Sequence, residues 1–186
     1  MPVALTCLRV FIASPNGLAE ERKAFREEVQ EFNDADSVAR GVLFQAVGWE
    51  DTLGGIGRPQ TLINDDIRKA DFLILVLWNR WGSPPDAACS HFTSGVEEEY
   101  HVAMESYAAH KMRRIVVLFK SVDPCQLSDP GPQLRRVLEF RKDIEKKKTH
   151  FFQSFDSTES FRRLVRRHLA DWLRDEESGG TAGKTP

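Results

Sequence analysis

Three glutamates stand together in Thr93-Ser94-Gly95-Val96-Glu97-Glu98-Glu99-Tyr100, downstream of a hydrophobic run that ends in Leu77-Trp78-Asn79-Arg80-Trp81-Gly82. A Ser-Gly turn that opens a helix here puts carboxylates at the carboxyl edge of a strand, where open α/β sheets bind ligands. On a helical wheel Val96, Tyr100, Ala103, Met104 and Tyr107 form the apolar stripe, Glu98 falls nearly opposite, and Glu97 and Glu99 flank it. Acids in a first helical turn are favoured by the helix dipole alone, so their presence needs no other purpose. Glu99 is singled out by its company, because Trp49, Glu50, Trp78, Arg80 and Trp81 all fall at expected strand ends. A carboxylate in such a place can stabilise a developing oxocarbenium ion or capture it covalently. If the leaving group is nicotinamide, it departs neutral from a pyridinium and needs no general acid. One glutamate then suffices.

The neighbouring candidates each carry two readings. Trp78 and Trp81 can stack on a base or a nicotinamide ring and raise the pKa of Glu99 by desolvation. Equally, Trp78 can complete the core run and Trp81 can pack under a loop. Arg80 suits a phosphate or a neighbouring acid. Ser14-Pro15-Asn16-Gly17 lies between a strand and a helix, where backbone N–H groups can cradle phosphate, although it lacks a glycine-rich fingerprint. Gly54, Gly55 and Gly57 suit a lid beside the site or an ordinary connection. His91, His101, His110, His150 and His168 have no metal-ligand spacing, so no metal is expected.

These side chains need a scaffold, and the hydrophobic pattern supplies one. Leu8–Ala13, Val42–Val47, Phe72–Trp78, Ile115–Phe119 and His150–Phe155 read as strands. Between them run helical periods: Leu18, Phe25, Val29 and Phe32; Leu62, Ile63, Ile67 and Ala70 behind Pro59; the Val96 stripe; a charged helix over about 133–147; and a last helix with Phe161, Leu164, Val165, His168, Leu169 and Trp172 on one face. The third strand does not alternate, as expected of a strand covered on both faces. Five alternations of strand and helix predict an α/β, flavodoxin-like parallel sheet in order 2-1-3-4-5 with helices on both faces. One domain is expected over residues 1–174, and residues 175–186, polar and Gly-rich, read as a disordered tail or linker.

Bulk properties exclude some partners. A net charge of −2 and basic runs interleaved with acids give no electrostatic reason for nucleic-acid binding. No apolar run approaches the roughly 20 residues needed to span a bilayer, so no membrane partner is expected. Cys7, Cys89 and Cys125 are odd in number and widely spaced, which fits a reducing compartment. The start, Met1–Thr6, reads as no signal peptide, and the expected location is the cytoplasm.

Val10-Phe11-Ile12-Ala13-Ser14-Pro15 through Ala19-Glu20-Glu21-Arg22, with Trp49-Glu50-Asp51, Gly57-Arg58-Pro59-Gln60 and the two segments that open this subsection, resembles a bacterial TIR-like family over about residues 8–173. That family was long catalogued as a domain of unknown function, often N-terminal to NTPase or repeat proteins. It is similar in fold to TIR domains and nucleoside 2-deoxyribosyltransferases. The resemblance implies cleavage of NAD+ or a related nucleotide as substrate, with no cofactor, often in antiviral or cell-death signalling. The transferases' Ser-Gly-Thr-x-x-Glu motif falls on Ser94, Gly95, Val96 and Glu99, which makes Glu99 the catalytic residue. Val96 stands where that motif has Thr, and Thr93 where Asp is common, which puts deoxyribosyl transfer in doubt more than NAD+ cleavage. Trp49, Trp78, Arg80, Trp81 and Ser94 would shape the pocket, with Ser14 and Asn16 at its rim. Sites of this kind are often completed by a neighbouring copy, so a homo-oligomer is expected when active, fused or bound to an NTPase or sensor module. Many TIR-type domains are silent adaptors, and a non-catalytic oligomerisation module is the main alternative.

Overall fold

The computed structural model describes residues 4–53, 58–85, 91–148 and 150–181. The strands are β1 (Thr6–Ala13), β2 (Val42–Gly48), β3 (Phe72–Leu77), β4 (Arg114–Lys120) and β5 (Phe152–Phe155). The helices are α1 (Ala19–Phe32), α2 (Pro59–Arg68), α3 (Gly95–Ala108), α4 (Pro124–Ser128), α5 (Pro132–Lys147) and α6 (Thr158–Thr181). All neighbouring strands pair in parallel, in the order β2-β1-β3-β4-β5. This is the flavodoxin-like arrangement expected from the sequence.

Strand pleating explains the two cores. Every residue of β3 is buried, and alternate side chains serve opposite layers. Phe72, Ile74 and Val76 join Phe25, Phe32, Phe161 and Trp172, from α1 and α6. Leu73, Leu75 and Leu77 join Ile67, Tyr100, Ala103 and Val137, from α2, α3 and α5. The order reverses at β1, which lies between β2 and β3, so the chain leaves β1 and β3 towards opposite faces. Their carboxyl ends flank the crevice that such a sheet offers to a ligand.

Several boundaries differ from expectation. β3 stops at Leu77, one residue before Trp78, and β5 begins at Phe152. The Pro-rich loop after β4 holds the short α4, where Pro124 occupies a first-turn position and Asp123 Oδ1 accepts from Cys125 N at 2.7 Å. Part of the segment expected as a disordered tail or linker, from Asp175 to Thr181, continues α6. Its acids reach back to basic residues of the body: Asp175 to Arg114 at 3.1 Å, Glu176 to Arg113 and Glu177 to Arg40. Gly54, Gly55 and Gly57 lie outside the described residues.

The α6 layer is anchored by Trp172, whose ring stacks on Phe72 with centroids 4.0 Å apart. Trp172→Ala therefore removes a buried ring from the centre of one core. Urea denaturation is expected to show a loss of about 3–5 kcal/mol. A loss within experimental error would contradict this packing.

Candidate functional site

β1 ends in a tight turn in which Gly17 has φ of +99°, a left-handed conformation that favours glycine. The turn leaves Ser14 buried, and its hydroxyl accepts from Arg22 Nη1 at 3.1 Å. Arg22, one turn into α1, also pairs with Glu50, and its guanidinium carbon lies 5.6 Å from the Trp49 ring centroid. One α1 side chain thus ties the end of β1 to the end of β2. On the other side of the crevice, the Gln133 amide clamps the chain after β3. Its Oε1 accepts from Trp81 N at 2.8 Å and Gly82 N at 3.0 Å, and its Nε2 donates to Gly82 O at 3.2 Å.

The three glutamates of α3 have three different fates. Ser94 caps the helix, its Oγ accepting from Glu97 N at 3.0 Å, and Glu97 turns back to accept from Thr93 N and Thr93 Oγ1. Glu97 therefore belongs to the helix start. Glu98 accepts from Arg58 Nη1 and Nη2 at 3.0 and 2.8 Å, and from Asn64 Nδ2 at 2.8 Å. Although it faces away from the apolar stripe of α3, Glu98 is only 5% exposed, because α2 packs over that side. Glu99 is also buried, and its Oε1 accepts from Gln60 Nε2 at 3.2 Å.

Glu99 forms part of the wall of a cavity of about 590 Å³ at this end of the sheet. Ser14 and Asn16 enter from the turn after β1, Trp49 from the end of β2, Gln60 from α2, and Arg80 from the chain after β3. Arg80 is exposed at this cavity, and no carboxylate pairs with it among the described residues. Burial pushes the Glu99 carboxyl up from its ordinary 4.5 to about 7, the hydrogen bond from Gln60 works against that rise, and the charge of Glu98 adds to it. The result is a carboxylate poised near neutrality in a poorly hydrated wall.

The other expected site residues are placed elsewhere. Trp78 donates from Nε1 to Ser121 O at 3.1 Å and carries Lys120 Nζ 4.5 Å from its ring centroid, beside the α1/α6 core. Trp81 is buried against Phe140, and its Nε1 donates to Thr93 Oγ1 at 2.8 Å. Ser94 is fully buried as a helix cap. None of these three lines the cavity, whereas Ser14, Asn16, Trp49, Arg80 and Glu99 do. Sequence reasoning missed the roles of Gln60, Arg58, Asn64, Arg22 and Gln133. A signal existed for two of them: Gln60 and Asn64 are four apart behind Pro59, which sets them on one face at a helix start.

A family profile matches residues 9–170, over most of the chain, with the description "Domain of unknown function (DUF4062)". The chain belongs to the DUF4062 family. No curated protein matches this DUF4062 chain. Among solved structures, it is similar to the RPS4 and RRS1 TIR domain heterodimer at 12% identity, covering 89% of this chain and 97% of that one, with a TM-score of 0.48. It is similar to the TIR domains of the activated Roq1 resistosome that recognises the pathogen effector XopQ, at 14% identity over 86% and 82%, with a TM-score of 0.42. General stress protein 14 of Treponema denticola, in complex with FMN, is similar at 15% identity over 90% and 98%, with a TM-score of 0.38. Among the described residues of this DUF4062 chain, no group of His, Cys, Asp and Glu could hold a metal, and no helix is long and apolar enough to cross a membrane.

Two predictions concern Glu99 without reference to turnover. Its folded-state pKa lies above the unfolded value, so between pH 4.5 and about 7 the unfolded chain sheds a proton that the folded chain keeps. Stability therefore falls across that window, by on the order of 3 kcal/mol once pH exceeds the folded value. Glu99→Gln should raise the melting temperature by roughly 5–10 °C at about pH 8 and leave it unchanged at the acid end of the window. A gain that is equal at both ends contradicts the shift. Separately, a Cβ on Gly95 would sit 2.8 Å from Gln60 Oε1, the movable end of a side chain. Gly95→Ala should keep the fold but displace Gln60, so that Glu99 titrates still higher in NMR.

Proposed function

We propose that this chain is a TIR-like effector domain that hydrolyses the N-glycosidic bond of NAD+ and releases nicotinamide. The observation that carries the reading is Glu99, a buried carboxyl with a pKa of about 7 in the wall of a cavity that also holds Trp49 and the cation of Arg80. In this reading the bond between the ribose carbon and the pyridinium nitrogen breaks, and its electron pair goes to nicotinamide, which leaves neutral. The Glu99 carboxylate stabilises or captures the ribosyl cation, and water completes the hydrolysis, giving up a proton. An ionised carboxylate in a poorly hydrated wall acts on such a cation more strongly than one in water. Trp49 offers a ring face to the nicotinamide or adenine, and Arg80 a planar cation to the phosphates. Ser14 and Asn16 form the rim. Trp78, Trp81 and Ser94 support the walls.

A signalling role triggered by self-association belongs to the same proposal, including its antiviral setting, its place beside an NTPase or sensor module, and a cytoplasmic location. Phe151, fully exposed next to the edge strand β5, supports contact with another protein surface. That residue equally favours a second reading, a non-catalytic assembly module.

The test is to tether the protein at high density, supply NAD+, and measure nicotinamide by chromatography. Release is expected to grow as pH rises through about 7, because only the ionised Glu99 can meet the cation. Glu99→Gln should lose on the order of 100-fold or more with the fold intact. Equal release by wild type and Glu99→Gln removes the hydrolase assignment, and no release from the clustered wild type leaves the assembly module.

A further inference from the structure

We propose that Arg58 is a positioning residue for Glu99, acting across the faces of α2 and α3 through Glu98, Asn64 and Gln60. The inference deepens the reading above and rests on Glu99 being the reacting carboxylate of this site.

Glu98 and Glu99 are consecutive, and both are buried. The charge of Glu98 opposes the ionisation of Glu99. Arg58 meets the first of them with both terminal nitrogens, in the fork geometry that suits a carboxylate. The Glu98 side chain is 7% exposed and that of Arg58 is 23%, so water screens the pair weakly. Asn64 then donates from Nδ2 to Glu98 Oε1 at 2.8 Å, which turns its Oδ1 to face Gln60 Nε2 at 3.3 Å. The same Gln60 nitrogen reaches Glu99 Oε1 at 3.2 Å. A cation, a carboxylate and two amides thus lie in unbroken contact up to Glu99.

Backbone features hold this line in place. Pro59 starts α2 and keeps Arg58 extended, with ψ of 125°, outside the helix. Gly95 leaves room for Gln60. Among the described residues, few other charges face Glu99. Arg80 lines the same cavity, and Arg22, paired with Glu50, lies against the Trp49 ring. Glu97 is held by Thr93, and α5 contributes the neutral Gln133. β1 and β4 present Phe11, Ala13 and Val117 to this layer.

This arrangement makes a prediction with two opposite signs. Without Arg58, Glu98 loses the guanidinium that meets both of its oxygens, and Glu99 holds its proton to higher pH. Without the Glu98 charge, the like charge that raises the Glu99 pKa is gone, and Glu99 ionises at lower pH. A role confined to structural support would weaken the fold in both variants and produce no such split.

The experiment follows the Glu99 carboxyl carbon by NMR in the full chain carrying ¹³C-glutamate, with the resonance assigned through Glu99→Gln. Arg58→Met is expected to move the titration midpoint up by about one pH unit, and Glu98→Gln down by about as much. The double variant should match Glu98→Gln, because Arg58 acts through Glu98, and Arg58→Lys should stay near wild type. If Arg58→Met does not fold, Arg58→Gln, which keeps a polar end at that position, takes its place in the comparison. Midpoints that move in the same direction, or not at all, overturn the proposal. NAD+ turnover is measured alongside. Opposite shifts with no nicotinamide release sustain the relay and remove the hydrolase reading, whereas release with unmoved midpoints removes the relay alone.

Discussion

Keeping the Glu99 carboxyl out of water is the constraint around which this end of the molecule is arranged. Burial of an acid costs the folded state free energy at neutral pH, and a sequence selected for stability alone would place an amide or an apolar residue there. The surrounding residues lessen the cost without abolishing it. Gln60 donates one hydrogen bond, Gly95 makes room for it, and Arg58 compensates the second acid beside it. The shift that survives, to about 7, is the residue of these opposing effects. A group left in that condition ionises near neutrality while its surroundings stay poorly hydrated, which suits the binding of a developing positive charge.

The rest of the fold keeps that arrangement rigid. The face opposite α3 is closed by α1 and α6, where Arg162 meets Glu27, Glu28 and Glu31, and Arg166 also reaches Glu28. Glu28 is 4% exposed, so loss of its cations would strand a charge and not merely break a surface pair. With α1 fixed in this way, Arg22 has a firm base from which to hold Ser14, Glu50 and Trp49. Gln133 does the corresponding work from α5 on the chain after β3. Both walls of the cavity are thus set by side chains that do not themselves need to touch a ligand.

The fold was legible because its signals repeat. The non-alternating run at Phe72–Leu77 marks a central strand, and helical periods between the strands force parallel crossovers. That Glu99 faces the crevice at this end of the sheet was legible from the Ser-Gly turn that opens α3 after β3. What escaped the sequence depends on neighbours distant in the chain. Glu98 looks solvated on a helical wheel, because the wheel does not contain α2, which buries it. Trp78 and Trp81 have the right chemistry for stacking, but β3 ends at Leu77, and their indole N–H groups find partners at Ser121 and Thr93, away from the cavity. The acids after Asp175 look like a solvated tail until Arg113, Arg114 and Arg40 are brought beside them.

The tryptophans show why residue type alone locates a site poorly. Trp49, Trp78, Trp81 and Trp172 differ little in what their rings can do, and much in what holds them. Trp172 and Trp81 are buried in opposite cores, and Trp78 is fixed between Lys120 and a backbone carbonyl. Trp49 alone among them lines the cavity, 42% exposed, with the Arg22 guanidinium beside its ring. An indole left that open loses apolar burial, and the neighbouring cation recovers only part of the loss, about 0.5–1 kcal/mol at such exposure. Covering the ring with a flat, apolar partner would restore the burial. Among the described residues Arg80 pairs with no carboxylate, so an exposed cation and an open ring face border the same cavity.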